Sequence, residues 1–282
     1  MEYIVLDNGE KIAYRRVGEG KKLLVLHGNF GSSLHFRRLI DNPPAGVELI
    51  LPDMRGFGES SYNTRITCLK DLALDMVELC AKLGIERLPV LGWSLGGGVA
   101  MEMAALAPEL VEKLFLMNST SCYGYPLYNV DDKGKFVPFR SPEEIASNPA
   151  VAALLLAQKT GKDQIYRATL TRPFNSKEEE DEFVSCFMAQ RNLLDADWAL
   201  AVFNMTDRPN LYGDGDGRIY DITCPITLTA GDNDKMVPWA LVKSNLEAFG
   251  SKAKLIMYRD CGHCPLVEKT EQCLADIAAF MA

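Results

Sequence analysis

Two kinds of hydrophobic pattern succeed one another along the chain. Over residues 2–7 and 11–17 apolar and polar side chains alternate singly, the period of strands with one wet face, and Asn8-Gly9 between them is a hairpin turn signal. The alternation then stops. Residues 23–26, 49–51, 88–91 and 114–117 are short continuous apolar runs, the pattern of strands buried on both faces of a parallel sheet. Between them the spacing turns helical. Residues 67–83 place Leu69, Leu72, Met76, Leu79, Cys80 and Leu83 on one face, and Gly84 supplies a C-terminal stop. The same unit recurs late in the chain as strand 226–229, helix 238–249, strand 254–258 and helix 268–280.

This alternation predicts an α/β fold, a mostly parallel central sheet flanked by helices and joined at its start by an antiparallel hairpin. Residues 120–220 break the rhythm. They open on aromatics (Tyr123, Tyr125, Tyr128, Phe136, Phe139), contain helix-like pieces at 149–159 and 178–194, and return through the Gly/Asp-rich stretch 213–217. We read them as a helical cap inserted into a core made of residues 1–119 and 221–282. The acidic run 178–182 reads as a solvated helix start.

Composition narrows the partners. With 282 residues, 48% of them hydrophobic, the chain can bury one large core, and no Pro/Ser-rich linker divides it. A net charge of −8 disfavours nucleic acid or an anionic membrane, both of which call for clustered Lys and Arg. A small-molecule substrate fits better, and homo-oligomerisation is left open. Residues 1–20 mix acidic and basic side chains without an apolar core, unlike a signal peptide, and no later run is long enough to span a bilayer. Eight cysteines thinly spread through such a chain read as small, reduced core residues, so a cytoplasmic setting is expected.

No cofactor is expected. The glycines at 96 and 98, and those at 213, 215 and 217, fail the dinucleotide-binding spacing, and no phosphate-binding loop is present. Asp214-Gly215-Asp216-Gly217 lacks the further carboxylates of a calcium loop. Cys261-Gly262-His263-Cys264 resembles a metal or redox pair, but the other histidines, His27 and His35, offer no suitable spacing for further ligands, so no metal site is expected.

The chemistry concentrates elsewhere. Gly92-Trp93-Ser94-Leu95-Gly96 ends an apolar strand-like run, and residues 99–107, rich in Ala and Met, follow as a helix ending before Pro108. A strand turning sharply into a helix needs small residues two positions either side of the turn, and the helix aims its positive end at the turn residue. Ser94 is therefore the candidate nucleophile. A serine hydroxyl needs a base and a group orienting that base. His263, on a Gly-flanked loop after a strand, is the preferred base over His27 and His35. The loop Gly231-Asp232-Asn233-Asp234 supplies the acid: Asp234 is favoured, while Asp232 is the candidate for bracing the turn. The N–H groups of Asn29 and Leu95 are the expected oxyanion donors, the first from the loop His27-Gly28-Asn29-Phe30-Gly31.

Taken in order, His27-Gly28, Asp53-Met54-Arg55-Gly56-Phe57-Gly58-Glu59-Ser60, Gly92-Trp93-Ser94-Leu95-Gly96-Gly97, Gly231-Asp232-Asn233-Asp234 with Val237-Pro238, and Gly262-His263 resemble the α/β-hydrolase superfamily, particularly its capped single-domain members. The resemblance covers nearly the whole chain. It implies structural roles for Asp53 and Arg55, and a pocket between core and cap where Phe30, Trp93, Tyr123 and Tyr125 would touch substrate. Relatives with aspartate as nucleophile, the dehalogenases and epoxide hydrolases, differ at the Ser94 position. The expected activity is serine-dependent cleavage of a small or medium carboxylic ester through an acyl-enzyme. Thioesterase, lactonase, carbon–carbon bond hydrolase and perhydrolase chemistry would use the same residues, and a non-catalytic small-molecule receptor would keep the same fold.

Overall fold

The computed structural model describes every residue except 169, 171–173 and 175. Strands β1 (Glu2–Val5), β2 (Lys11–Gly18), β3 (Lys21–Leu26), β4 (Val47–Pro52), β5 (Leu88–Trp93), β6 (Val111–Met117), β9 (Ile226–Gly231) and β10 (Ala253–Tyr258) form one sheet in the order β1-β2-β4-β3-β5-β6-β9-β10. The β1/β2 and β2/β4 pairs are antiparallel and all later pairs parallel. Strands β7 (Tyr128–Val130) and β8 (Phe136–Pro138) make a separate hairpin.

The continuous apolar runs serve two cores at once. Successive strand side chains point to opposite faces, so Leu24 and Leu26 join one buried cluster while Leu23 and Val25 join the other. In β6 the same alternation sends Leu114 and Leu116 one way and Phe115 and Met117 the other. The first cluster is closed by α2 (Leu69–Lys82) and α3 (Leu95–Leu106), the second by the short α1 (Arg37–Asp41), α10 (Pro265–Glu268) and α11 (Thr270–Met281). The helix expected over 268–280 is α11, which starts at Thr270 because the Lys269 backbone is non-helical and separates it from α10.

Between β6 and β9 the chain forms α4 (Pro142–Ile145), α5 (Pro149–Thr160), α6 (Asp163–Arg167), α7 (Lys177–Ala189) and α8 (Leu193–Val202); α9 (Trp239–Phe249) follows β9. Two expectations are corrected here. The helix expected over 178–194 is interrupted, because Gln190 is extended and Arg191 N donates to the Gly56 carbonyl at 2.8 Å. The acidic run is not merely solvated. Glu179 takes both Arg38 nitrogens at 3.0 Å, Glu182 pairs with Arg37, and Glu180 and Asp181 pair with Arg167. Exposed pairs of this kind contribute about 0–1 kcal/mol each, less than the roughly 1.5–3 kcal/mol of one buried large apolar side chain. Burial of Phe187, stacked on Tyr166 at 3.9 Å, and of Val184 therefore does more to seat α7 than its charges.

One charged pair is fully internal. Arg55 reaches both oxygens of Asp75 at 2.7 Å, with side-chain exposures of 6% and 1%, and so ties the turn after β4 to α2. This agrees with the structural role expected of Arg55. Arg55→Met would leave Asp75 buried with Asn8 as its remaining side-chain partner among the described residues, and should lower unfolding free energy by about 3–5 kcal/mol in urea titration. Arg55→Met combined with Asp75→Leu should recover most of that loss.

Candidate functional site

Strand β5 runs into α3 with a single residue between them, and that residue is Ser94. Its backbone sits at φ 54° and ψ −118°, a conformation an L-residue adopts only when the surroundings impose it. The imposition is visible: a methyl group on Gly92 would stand 2.3 Å from the Gly96 carbonyl oxygen, and one on Gly96 2.4 Å from that of Leu26. Ser94 N donates to the Met117 carbonyl, and its own carbonyl accepts from Thr120 N, both at 3.1 Å. Ser94 stays half-buried between buried Trp93 and Leu95, at the N-terminal end of an almost wholly buried helix.

The residues that hydrogen-bond the Ser94 backbone flank Asn118, and Asn118 leads to the other two expected residues. Its Nδ2 donates to Asp234 Oδ2 and to the Gly262 carbonyl, each at 3.0 Å, and its Oδ1 accepts from Thr229 Oγ1 at 2.9 Å. Asp234 Oδ2 lies 2.8 Å from His263 Nδ1, and Asp234 Oδ1 accepts from the N–H groups of Met236 and Val237 at 2.9 Å. Burial would raise the pKa of Asp234, but the hydrogen bond and charge of His263, the Val237 N–H and Asn118 outweigh it and hold the carboxyl below its ordinary value. A carboxylate only accepts, so Nδ1 carries a proton, and in the neutral ring the lone pair is on Nε2. Glu268 brackets the histidine from α10, accepting from Gly262 N at 2.7 Å and from Cys264 N at 3.0 Å. Trp93 Nε1 donates to the His263 carbonyl at 2.9 Å, which joins the His263 loop to the residue before Ser94.

The loop after β3 closes the other side. A methyl on Gly28 would lie 3.0 Å from Ser94 Cβ, so this loop touches the serine. Asn29 follows, with its side chain held at both ends: Nδ2 donates to Asp197 Oδ1 and Oδ1 accepts from Gln190 Nε2, both at 2.8 Å. Phe30 has φ 61° and its N–H is shared between Asn29 Oδ1 and Gln190 Oε1 at 3.0 and 3.2 Å. Leu95 is the first residue of α3, so its N–H has no acceptor within the helix.

The remaining expected residues divide. Trp93, expected at substrate, is 5% exposed and lies in the second core cluster against His35, Phe36 and His263. Phe30 packs on Phe187 and Tyr166 with its ring partly exposed. Tyr123 sends its hydroxyl to the Pro209 carbonyl. Tyr125 is half-buried on the first cluster, and burial together with the charges of Asp234 and Asp197 raises its pKa. His27 is buried, hydrogen-bonded to Gly28 O and Met54 N, and burial lowers its pKa, so it is a neutral framework residue. Asp232 accepts from Cys261 N at 3.3 Å and braces the loop. Cys261 and Cys264 are buried in the second cluster, and burial pushes the Cys261 thiol up to about 12. Among the described residues no group of three or more His, Cys, Asp or Glu side chains could hold a metal ion.

Four contributors carry no motif in the sequence: Asn118, Glu268, Gln190 and Asp197. The first two sit directly after β6 and five residues beyond His263, positions that carry a signal only once the sheet order is known. Asp197 is 7% exposed, and Asn29 is its hydrogen-bond partner among the described residues. Burial raises its pKa, only partly countered by Asn29, to about 7 from 3.8. The folded protein therefore holds this proton more tightly than the unfolded chain, and the associated stability is lost as pH rises from about 4 to 7. Asp197→Asn does not titrate, so its stability relative to the parent should grow by about 2–4 kcal/mol across that window, measured by urea unfolding at each pH. Parallel stability curves would refute this.

Comparison with known proteins agrees with the fold. The alpha/beta hydrolase fold family model matches residues 21–270. The pimeloyl-[acyl-carrier protein] methyl ester esterase of Nitrosomonas europaea is 25% identical over 266 residues, covering 90% of this chain and 93% of the esterase. The chain spans about a third of the length of three uncharacterized mycobacterial relatives, which are 33% identical over 112 residues and align with 40% of this chain. Among solved structures, a hydrolase from Pseudomonas aeruginosa PA01 superposes with a TM-score of 0.79 at 19% identity, covering 100% of this chain and 98% of that one. An enol-lactonase from Burkholderia xenovorans LB400 superposes at 0.74 and 18% identity, covering 99% of each. With the matched segment running through most of the eight-stranded sheet and the Ser94 turn, this chain belongs to the α/β-hydrolase fold family.

Proposed function

We propose that the chain is a serine hydrolase that cleaves a carboxylic ester of small or medium size through an acyl-enzyme. The observation that carries this reading is the meeting of a strained, half-buried Ser94 with a His263–Asp234 pair through shared contacts at residues 117–120. Ser94 Oγ attacks the ester carbonyl while His263 Nε2 takes its proton and passes it to the leaving alcohol. Water then attacks the acyl-enzyme by the same route in reverse. Asp234 holds the tautomer and stabilises the imidazolium. The N–H groups of Asn29 and Leu95 receive the oxyanion, and the positive end of α3 favours the same charge.

Residues 120–220 act as a cap over this site, with Phe30, Tyr123 and Tyr125 at its walls, and Trp93 serving as support for His263 rather than as a contact. The substrate is a small molecule. No described helix is long and apolar enough to cross a membrane, and the eight cysteines are all free thiols, which supports a reducing, cytoplasmic setting.

Ser94→Ala should abolish turnover of a short p-nitrophenyl ester, and a fluorophosphonate probe should label the parent protein and not the variant. A stable fold with no labelling, together with tight ligand binding, would instead mark a receptor. A panel of esters, thioesters and lactones run on both proteins identifies the acyl class. Asn118→Ala, which removes the amide holding both Asp234 and Gly262, should lower kcat/KM by about 10- to 100-fold, the worth of a hydrogen bond to a charged group. Unchanged kinetics in that variant would show that Asp234 is held without it.

A further inference from the structure

The two faces of Asn29 are gripped from outside the sheet core. Asp197 lies on α8, and Gln190 lies at the break between α7 and α8, so both belong to the stretch between β6 and β9. Asp197 takes the Asn29 amide N–H and Gln190 gives an N–H to the Asn29 amide oxygen, each at 2.8 Å. The next residue, Phe30, stands in the left-handed region, which for a phenylalanine needs outside support. That support comes from the same place: Gln190 Oε1 shares the Phe30 N–H, and the Phe30 ring packs on Phe187 of α7 at 5.7 Å. Gln190 is itself fixed by Asn192, whose Nδ2 donates to the Arg55 carbonyl at 2.8 Å.

Asp197 is the unusual member. Among the described residues its buried carboxyl has the neutral Asn29 amide as its hydrogen-bond partner and forms no ion pair. A buried carboxyl without a cation is costly, and a polar framework position would ordinarily carry a neutral acceptor. What the carboxyl supplies is an acceptor for the Asn29 N–H that burial shields from competing water.

We propose that Asp197 is a positioning residue for acyl transfer: by holding the Asn29 side chain it fixes the Asn29 peptide, whose N–H receives the oxyanion. This rests on the serine hydrolase reading above. The donor must stand at the place the oxyanion will occupy, not the ground-state carbonyl, so loosening it weakens the transition state more than substrate binding. The loss therefore falls on kcat.

The test uses the full chain, with each variant's active sites titrated by fluorophosphonate so that misfolded protein does not count. Asp197→Ala should lower kcat per titrated site by about 10- to 100-fold on a p-nitrophenyl ester, the scale of a small misplacement, with KM little changed. Asp197→Asn keeps an acceptor for the Asn29 amide and should restore most of kcat. Where Asp197→Ala does not fold, Asn29→Ala severs the same bond from the other end, keeps the backbone N–H, and should give the same kcat loss. The proposal is overturned by an unchanged kcat per site in Asp197→Ala or in its Asn29→Ala substitute. It is equally overturned by a loss confined to KM, or by Asp197→Asn being as impaired as Asp197→Ala. Failure of the parent reading looks different, since the parent protein itself would then escape labelling at Ser94.

Discussion

The contact between the end of β5 and the start of α3 is the constraint from which the site follows. Gly92 and Gly96 let strand and helix backbones approach closer than any side chain allows, and Ser94 at the crossing is left with φ 54°. Such a conformation is affordable only in rigid surroundings. Here they are a sheet buried on both faces and a helix whose residues from Leu95 to Ala104 are all buried. The same crossing sets the Leu95 N–H beside Ser94, so a proposed nucleophile and a proposed oxyanion donor come from one local geometry.

The other proposed catalytic residues reach that point from strand ends. The loops after β3, β6, β9 and β10 bring Asn29, Asn118, Asp234 and His263 to the same edge of the sheet, as expected of open parallel sheets. Their side chains are linked by hydrogen bonds running from Thr229 through Asn118 to Asp234 and His263. Placing Asp234 there with four acceptor contacts keeps it ionised despite its burial, whereas Asp197, with one, keeps its proton until near neutrality. Two carboxyl groups close to one site thus have opposite chemistry: His263 and the N–H donors outweigh burial at Asp234, whereas at Asp197 burial prevails over the Asn29 hydrogen bond.

The fold was legible because its signals are local. Continuous apolar runs, a turn dipeptide at Asn8-Gly9 and a Gly stop at Gly84 each act within a few residues, and the structure places strands or helix ends at all of them. Ser94, Asp234 and His263 stood out for the same reason, each lying on a short motif beside a strand. The break at Gln190 had no such signal. Residues 178–194 satisfy a helical pattern, and the interruption comes from a distant partner, the Gly56 carbonyl, which takes the Arg191 N–H. Asn118, Glu268 and Asp197 were hidden likewise, since each matters through a residue far away in sequence or through a loop whose path is set by packing. The acidic run misled because charge density predicts solvation, while the arginines facing it come from α1 and α6.

The long excursion between β6 and β9 leaves after Met117 and returns at Ile226, which pairs with Leu114 on the neighbouring parallel strand. The positions of its two ends are therefore set by the sheet, whatever happens between them. Closing a loop costs free energy that grows only logarithmically with length, about 0.6 kcal/mol for each doubling. Lengthening or shortening this stretch would consequently change the chain entropy very little. What limits its variation is the handful of side chains that reach down to the Asn29 loop, so that a replaced excursion would have to bring its own acceptor for that amide.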